Sequence, residues 1–203
     1  MLDSIRDNTF KDVHVRRSDV FVLHMDLASN NHLGPLTKLI MLTGVGAKYR
    51  EIDIRQKVLT IGAPKAQGLI GLHNFSGADW GGKFVGIPKK TWVQTFLSLD
   101  DNDDIVECFK KLGVADLSNF QMEASGLPHK FKELERFVCM AYSSNSGPLL
   151  LSSLRWEMFR SRNLQEELLP PTRATLFPHM HRTNYVCTRD KSCLDLAETR
   201  SKR

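Results

Sequence analysis

The sequence predicts an α/β fold, and three observations carry the prediction. Residues 13–15 (Val, His, Val) alternate apolar and polar as a short strand does. Residues 38–43 and 49–54 are strand-like runs joined by Gly44-Val-Gly46-Ala-Lys48, the composition of a β-hairpin. From Pro64 onward, apolar residues recur at helical spacing between capping and stopping residues.

Taken in order, residues 1–11 are polar and lack a strong period. Arg16-Arg17-Ser18-Asp19 is a polar corner in which Ser18 or Asp19 can cap a following helix. Val20-Phe-Val-Leu23 is either a buried strand or the first turns of a buried helix, and periodicity does not separate the two. Residues 29–35 form a loop by composition, before the hairpin. Pro64 suits the first turn of a helix carrying Leu69, Ile70 and Leu72. Residues 91–99 and 103–112 are further helices, the second capped by Asp101 or Asn102 and stopped by Gly113. Residues 114–129, with Gly126 and Pro128, read as an irregular connection. Residues 130–142 place Leu134, Phe137, Val138 and Ala141 on one stripe of an amphipathic helix. After a break at 143–148 comes a helix over about 149–162, then a break at Leu168-Leu-Pro-Pro171. Residues 173–186 are a helix interrupted by Pro178, and the tail from Thr188 reads as disordered.

Composition narrows the classes. At 203 residues, 41% hydrophobic and 25% charged, the chain suits one soluble domain with a small appendage. No apolar run approaches the roughly 18 residues that span a bilayer, so no membrane partner is expected. The first residues are too polar for a signal peptide. Cys108, Cys139, Cys187 and Cys193 are scattered without a disulfide framework, which predicts a reduced, intracellular protein. The net charge of +5 fits an acidic partner such as nucleic acid, although much of the surplus lies in residues 200–203.

The most informative stretch runs from Gly68 to Trp92. An apolar helical segment enters Gly77, Asp79 follows, and Lys83 and Pro88-Lys89-Lys90 precede a second helix. An acid for a metal beside a basic helix start for phosphates is what a nucleic-acid-cutting site requires. The plainer alternatives are a turn aspartate bonded to its own loop and a solvated basic loop. Asp100-Asp-Asn-Asp-Asp104 lacks the spacing of a calcium loop and reads as an acid-rich helix start. His179, His181, Cys187 and Cys193 fall outside zinc-finger spacing. His73 reads as a packed helix residue, and Trp80 and Trp92 as core or interface aromatics.

Leu72-His-Asn-Phe-Ser-Gly-Ala-Asp79 resembles the Gly-Cys-Asp corner of the flap-endonuclease (XPG-like) branch of PIN-like nucleases, with Ala78 in place of the cysteine. More closely, the chain is similar to an uncharacterised PIN-like family abundant in animal genomes and often carried by mobile elements. That family also has counterparts of Thr43-Gly-Val-Gly46 and Ile52-Asp-Ile54, and the likeness covers about residues 12–186. The resemblance implies an incomplete PIN-like, three-layer core with a mostly parallel sheet over 1–113, its acid corner at 77–90. A helical extension over 114–187 and a tail over 188–203 would follow. It also implies a helix at residues 20–23, after a parallel strand. The implied chemistry is Mg²⁺- or Mn²⁺-dependent phosphodiester hydrolysis, with Asp19 and Asp79 as metal ligands and Lys83, Lys89 and Lys90 on backbone phosphates.

Two departures qualify that chemistry. Arg17 stands where the family has the first of two acids, and only eighteen residues precede Asp19, where the family has a strand and a helix bearing further acids. Two divalent ions need several carboxylates around them. The expectation is therefore a degenerate, inactive nuclease-like protein; the alternative is a non-catalytic nucleic-acid- or protein-binding module on the same scaffold.

Overall fold

The computed structural model describes residues 13–14, 18–30, 38–78, 82–114, 129–143, 149–162 and 165–200. A two-residue strand, β1 (Val13–His14), leads to helix α1 (Ser18–Ser29) and strand β2 (Ile40–Thr43). A 3₁₀ turn at Gly46–Lys48 then returns the chain as β3 (Arg50–Asp53). β1 pairs parallel to β2, and β2 pairs antiparallel to β3 with Met41 opposite Ile52. The predicted hairpin is present, and residues 20–23 are helical. The loop at 29–35 and the irregular stretches at 114–129 and 143–148 lie mostly outside the described residues.

Seven more helices follow among the described residues: α2 (Ile54–Ile61), α3 (Ala63–Phe75), α4 (Lys89–Leu97), α5 (Asp104–Lys111), α6 (His129–Ser143), α7 (Leu151–Arg162) and α8 (Arg173–Arg200). The expectation of a three-layer, mostly parallel PIN-like sheet is therefore wrong. Helix accounts for 71% and strand for 6% of the described residues, so the fold is mostly helical rather than α/β and the small sheet is not a central layer. The physical reason is visible in residues 54–61, which continue from β3 into a helix rather than a further strand. Asp53 caps α2, its carboxylate accepting the Gln56 N–H at 3.1 Å.

The centre is α3 instead. Ala66 and every residue from Gly68 to Phe75 are buried, the polar His73 and Asn74 among them, as expected of a helix with neighbours on several sides. It packs against α1, α5 and α8. Gly71 permits the closest crossing, since a Cβ there would lie 2.4 Å from the Phe109 carbonyl oxygen of α5. Phe75, Phe96, Phe109, Phe137 and Trp92 are fully buried and meet mostly edge to face or tilted. One hydrophobic cluster takes residues from both sides of Gly113, Phe137 and Leu176 as well as Phe75.

Polar contacts fix the helix ends. Asp103, rather than Asp101 or Asn102, caps α5 by accepting the Ile105 N–H at 2.9 Å, and it also pairs with Arg136 of α6 at 2.6 Å. Glu135 of α6, 1% exposed, accepts from the Leu151 N–H at the start of α7 and from Arg173 at the start of α8. α8 runs through Pro178 and continues to Arg200, where a disordered tail from residue 188 was expected. Contacts around residues 184–191 hold it. Asn184 accepts the Gly113 N–H at 2.8 Å, Asn74 donates to Asp190 at 2.9 Å, and Lys191 donates to the Lys110 carbonyl at 2.8 Å. Burial lowers the Lys191 pKa, an effect that Asp26 of α1 opposes. No helix among the described residues is long and apolar enough to cross a membrane.

Candidate nucleic-acid interface

The glycine-rich stretch between α3 and α4 is built from the end of α3 outward. The last carbonyls of a helix lack intrahelical partners and carry the negative end of its dipole. Lys89, the first residue of α4, reaches back to satisfy them. Its ammonium donates to the Gly77 carbonyl at 3.0 Å and the His73 carbonyl at 3.3 Å, and lies 2.9 Å from His73 Nδ1. An ammonium only donates, so Nδ1 accepts and the His73 ring proton sits on Nε2.

Gly77 has φ of +108°, a backbone state open to glycine, and a Cβ there would press on Lys83 Cγ at 3.0 Å. The Lys83 stem therefore crosses directly over Gly77. Gly82 lies as close to His179 of α8, where a Cβ would come 3.2 Å from Nδ1. Phe84 enters the aromatic cluster, its ring 4.7 Å from Trp92 and 4.9 Å from His179. Tyr142 of α6 donates to the Val85 carbonyl at 2.7 Å, and burial pushes its phenol up to about 12, so the donor proton stays in place. His179 Nε2–H donates to the Phe75 carbonyl at 2.8 Å. Burial lowers the His179 pKa, partly opposed by that bond and reinforced by Arg182.

The anchored segment presents two cations to water. Lys83 and Lys90 are exposed, while Lys89 is half-buried. Pro88 stands at the N-cap of α4, and no side chain caps the helix there. Of the three lysines expected on phosphates, Lys89 is thus committed to the end of α3. Lys83 and Lys90 remain as surface charges beside a helix N-terminus.

Asp79 and Trp80 lie outside the described residues, as does the side chain of Asp19. The backbone of Asp19 is in the first turn of α1, just after β1. Gln67 donates to the Ser29 carbonyl at 3.4 Å, which sets the C-terminal end of α1 beside the early part of α3. Among the described residues, no three His, Cys, Asp or Glu side chains form a set able to hold a metal ion. Neither of the two carboxylates expected as metal ligands, Asp19 and Asp79, belongs to the described side chains. His179 and Cys187, considered for zinc, serve the packing: Cys187 is buried against Ile70 and Asn74, with its thiol pushed up to about 12 by burial.

Sequence reasoning did not identify Tyr142 or Phe84, or His179 in its packing role. Only the aromatic type of each residue hinted at a buried role, since their partners lie far away in sequence. Comparison with known proteins finds no matching family model, no matching curated protein and no matching solved structure.

Proposed function

We propose that this chain is a nucleic-acid-binding module of nuclease-like sequence order that holds backbone phosphates at the start of α4. The supporting observation is the division of labour among its lysines. Lys89 ties α4 to the end of α3, and Lys83 and Lys90 stand exposed beside the uncapped first turn of α4. Exposed ammonium groups and unsatisfied helix N–H groups suit phosphate oxygens and read no base sequence. None of the four cysteines is in a disulfide, which suits an intracellular setting.

Anisotropy of a labelled DNA duplex, titrated over a salt series, tests this. Lys83→Ala with Lys90→Ala should weaken binding and flatten the salt dependence by about one unit of slope per lost phosphate contact. Unchanged affinity in the double variant refutes the reading. A second reading, Mg²⁺- or Mn²⁺-dependent hydrolysis with Asp19 and Asp79 as ligands, draws its support from the resemblance of the acid corner in the sequence. Cleavage of branched DNA in Mn²⁺ that disappears in Asp79→Asn would establish it.

A further inference from the structure

We infer that the phosphate-binding surface extends from the start of α4, across the Gly82–Phe84 segment, onto α8, where Arg182 holds a further phosphate of the same nucleic-acid backbone. The inference rests on the nucleic-acid reading above and adds a second helix that the ligand must touch. Contact between the segment and α8 is direct. A Cβ at Gly82 would stand 3.2 Å from Nδ1 of His179, and the His179 ring lies 4.9 Å from that of Phe84. Lys83 sits between those two residues. Arg182 follows His179 by three positions, which makes the two side chains neighbours on the helix surface. It is close enough for its charge to act on that imidazole, and it is exposed. Lys83 and Arg182 thus flank the same contact.

Charge decides the occupant. Acids are 23 of the 203 residues, yet none falls at 80–99 or at 173–189, the two stretches that meet at His179. Their cations then sort by partner. Arg173 is paired with Glu135, Arg189 with Asp190, and Lys89 is tied to the end of α3. Among the described residues, Lys83, Lys90 and Arg182 have no carboxylate partner. Three unmatched cations from a loop, a helix start and a second helix suit an anion with several linked charges. Duplex DNA offers one charge per about 1.7 Å of its axis, denser than an extended acidic peptide at about 3.3 Å or more per residue. A lone phosphate has no linked charges to offer.

The test uses the full chain with the labelled duplex and salt series described above. Arg182→Ala should weaken binding about two- to fivefold and reduce the salt slope by about one. Arg182→Lys should restore the slope. Arg160→Ala, which removes an exposed cation of α7, should leave it unchanged. An equal loss from Arg160→Ala assigns the effect to net charge and overturns the proposal. Arg182→Ala that binds like wild type, while Lys83→Ala plus Lys90→Ala binds more weakly, overturns this extension and leaves the α4 reading standing. Loss in Arg182→Ala with none in the double variant removes the α4 site, and with it the continuous surface inferred here. Displacement of the duplex by excess inorganic phosphate at constant ionic strength, or tighter binding of polyglutamate at equal charge, overturns the choice of ligand. No binding by wild type removes both sites.

Discussion

The ammonium of Lys89 lies 2.9 Å from Nδ1 of His73, and the same side chain closes the end of the helix that carries that histidine. A residue whose position suggests ligand binding is thereby part of the scaffold. Lys89→Met, which keeps the stem and removes the donor, should lower stability by about 1–2 kcal/mol in urea unfolding. Lys90→Met, its exposed neighbour, should stay within about 0.5 kcal/mol of wild type. Equal effects of the two would remove Lys89 from its capping role.

Acid should destabilise the fold through two histidines. Burial lowers the pKa of His24, and burial first, then Arg182, lowers that of His179. Each therefore binds its proton more readily in the unfolded chain, whose ordinary value is 6.5. Their contribution is complete above pH 6.5 and declines as pH falls below it towards the folded-state values. Thermal unfolding followed from about pH 7.5 to about pH 5, roughly the range in which histidines titrate, should show the decline. His179→Gln should flatten it.

Glu135 joins three helices with one carboxylate oxygen. Glu135→Ala strands the Leu151 N–H and leaves Arg173 without its carboxylate. Arg173 is 41% exposed and recovers part of its loss from water, so the expected cost is about 2–3 kcal/mol in urea unfolding. Glu135→Gln retains an acceptor oxygen and should cost about half as much.

Two glycines separate crowding from backbone strain. At Gly71 an added methyl meets a backbone carbonyl at 2.4 Å, and neither helix can yield locally. Gly71→Ala should cost about 3 kcal/mol or more. At Gly86, with φ of +77° and open space around it, only the backbone state is strained. Gly86→Ala should cost about 1–2 kcal/mol. Midpoints of urea unfolding at constant slope check the order.

Local chemistry was legible in this sequence; its sheet architecture was not. The hairpin was readable because Gly44 and Gly46 punctuate two β-rich runs, and the end of α5 because Gly113 breaks a periodic helix. The stripe of Leu134, Phe137, Val138 and Ala141 marked the buried side of α6. The mostly parallel sheet came from resemblance, while the residues themselves offered only three strand-like runs. α2 escaped notice because Arg55, Gln56 and Lys57 conceal a short helix whose buried residues are only Ile54 and Val58. The downstream half of α8 looked like a polar tail because its anchors, Asn184, Asp190 and Lys191, are hydrophilic and find partners seventy or more residues away. Lys89 was recognised as a cation at a helix start, but its target depended on how the intervening loop folds back.

The distance along the chain between Asn74 and Asp190, 116 residues, sets the order of events during synthesis. The ribosome delivers a chain from its N-terminus at about 5–20 residues per second, so α3 emerges several seconds before the helix that covers it. The side of α3 around Asn74 must wait for that interval, after α1 and α5 have emerged. Folding yield should therefore depend on how fast translation reaches α8.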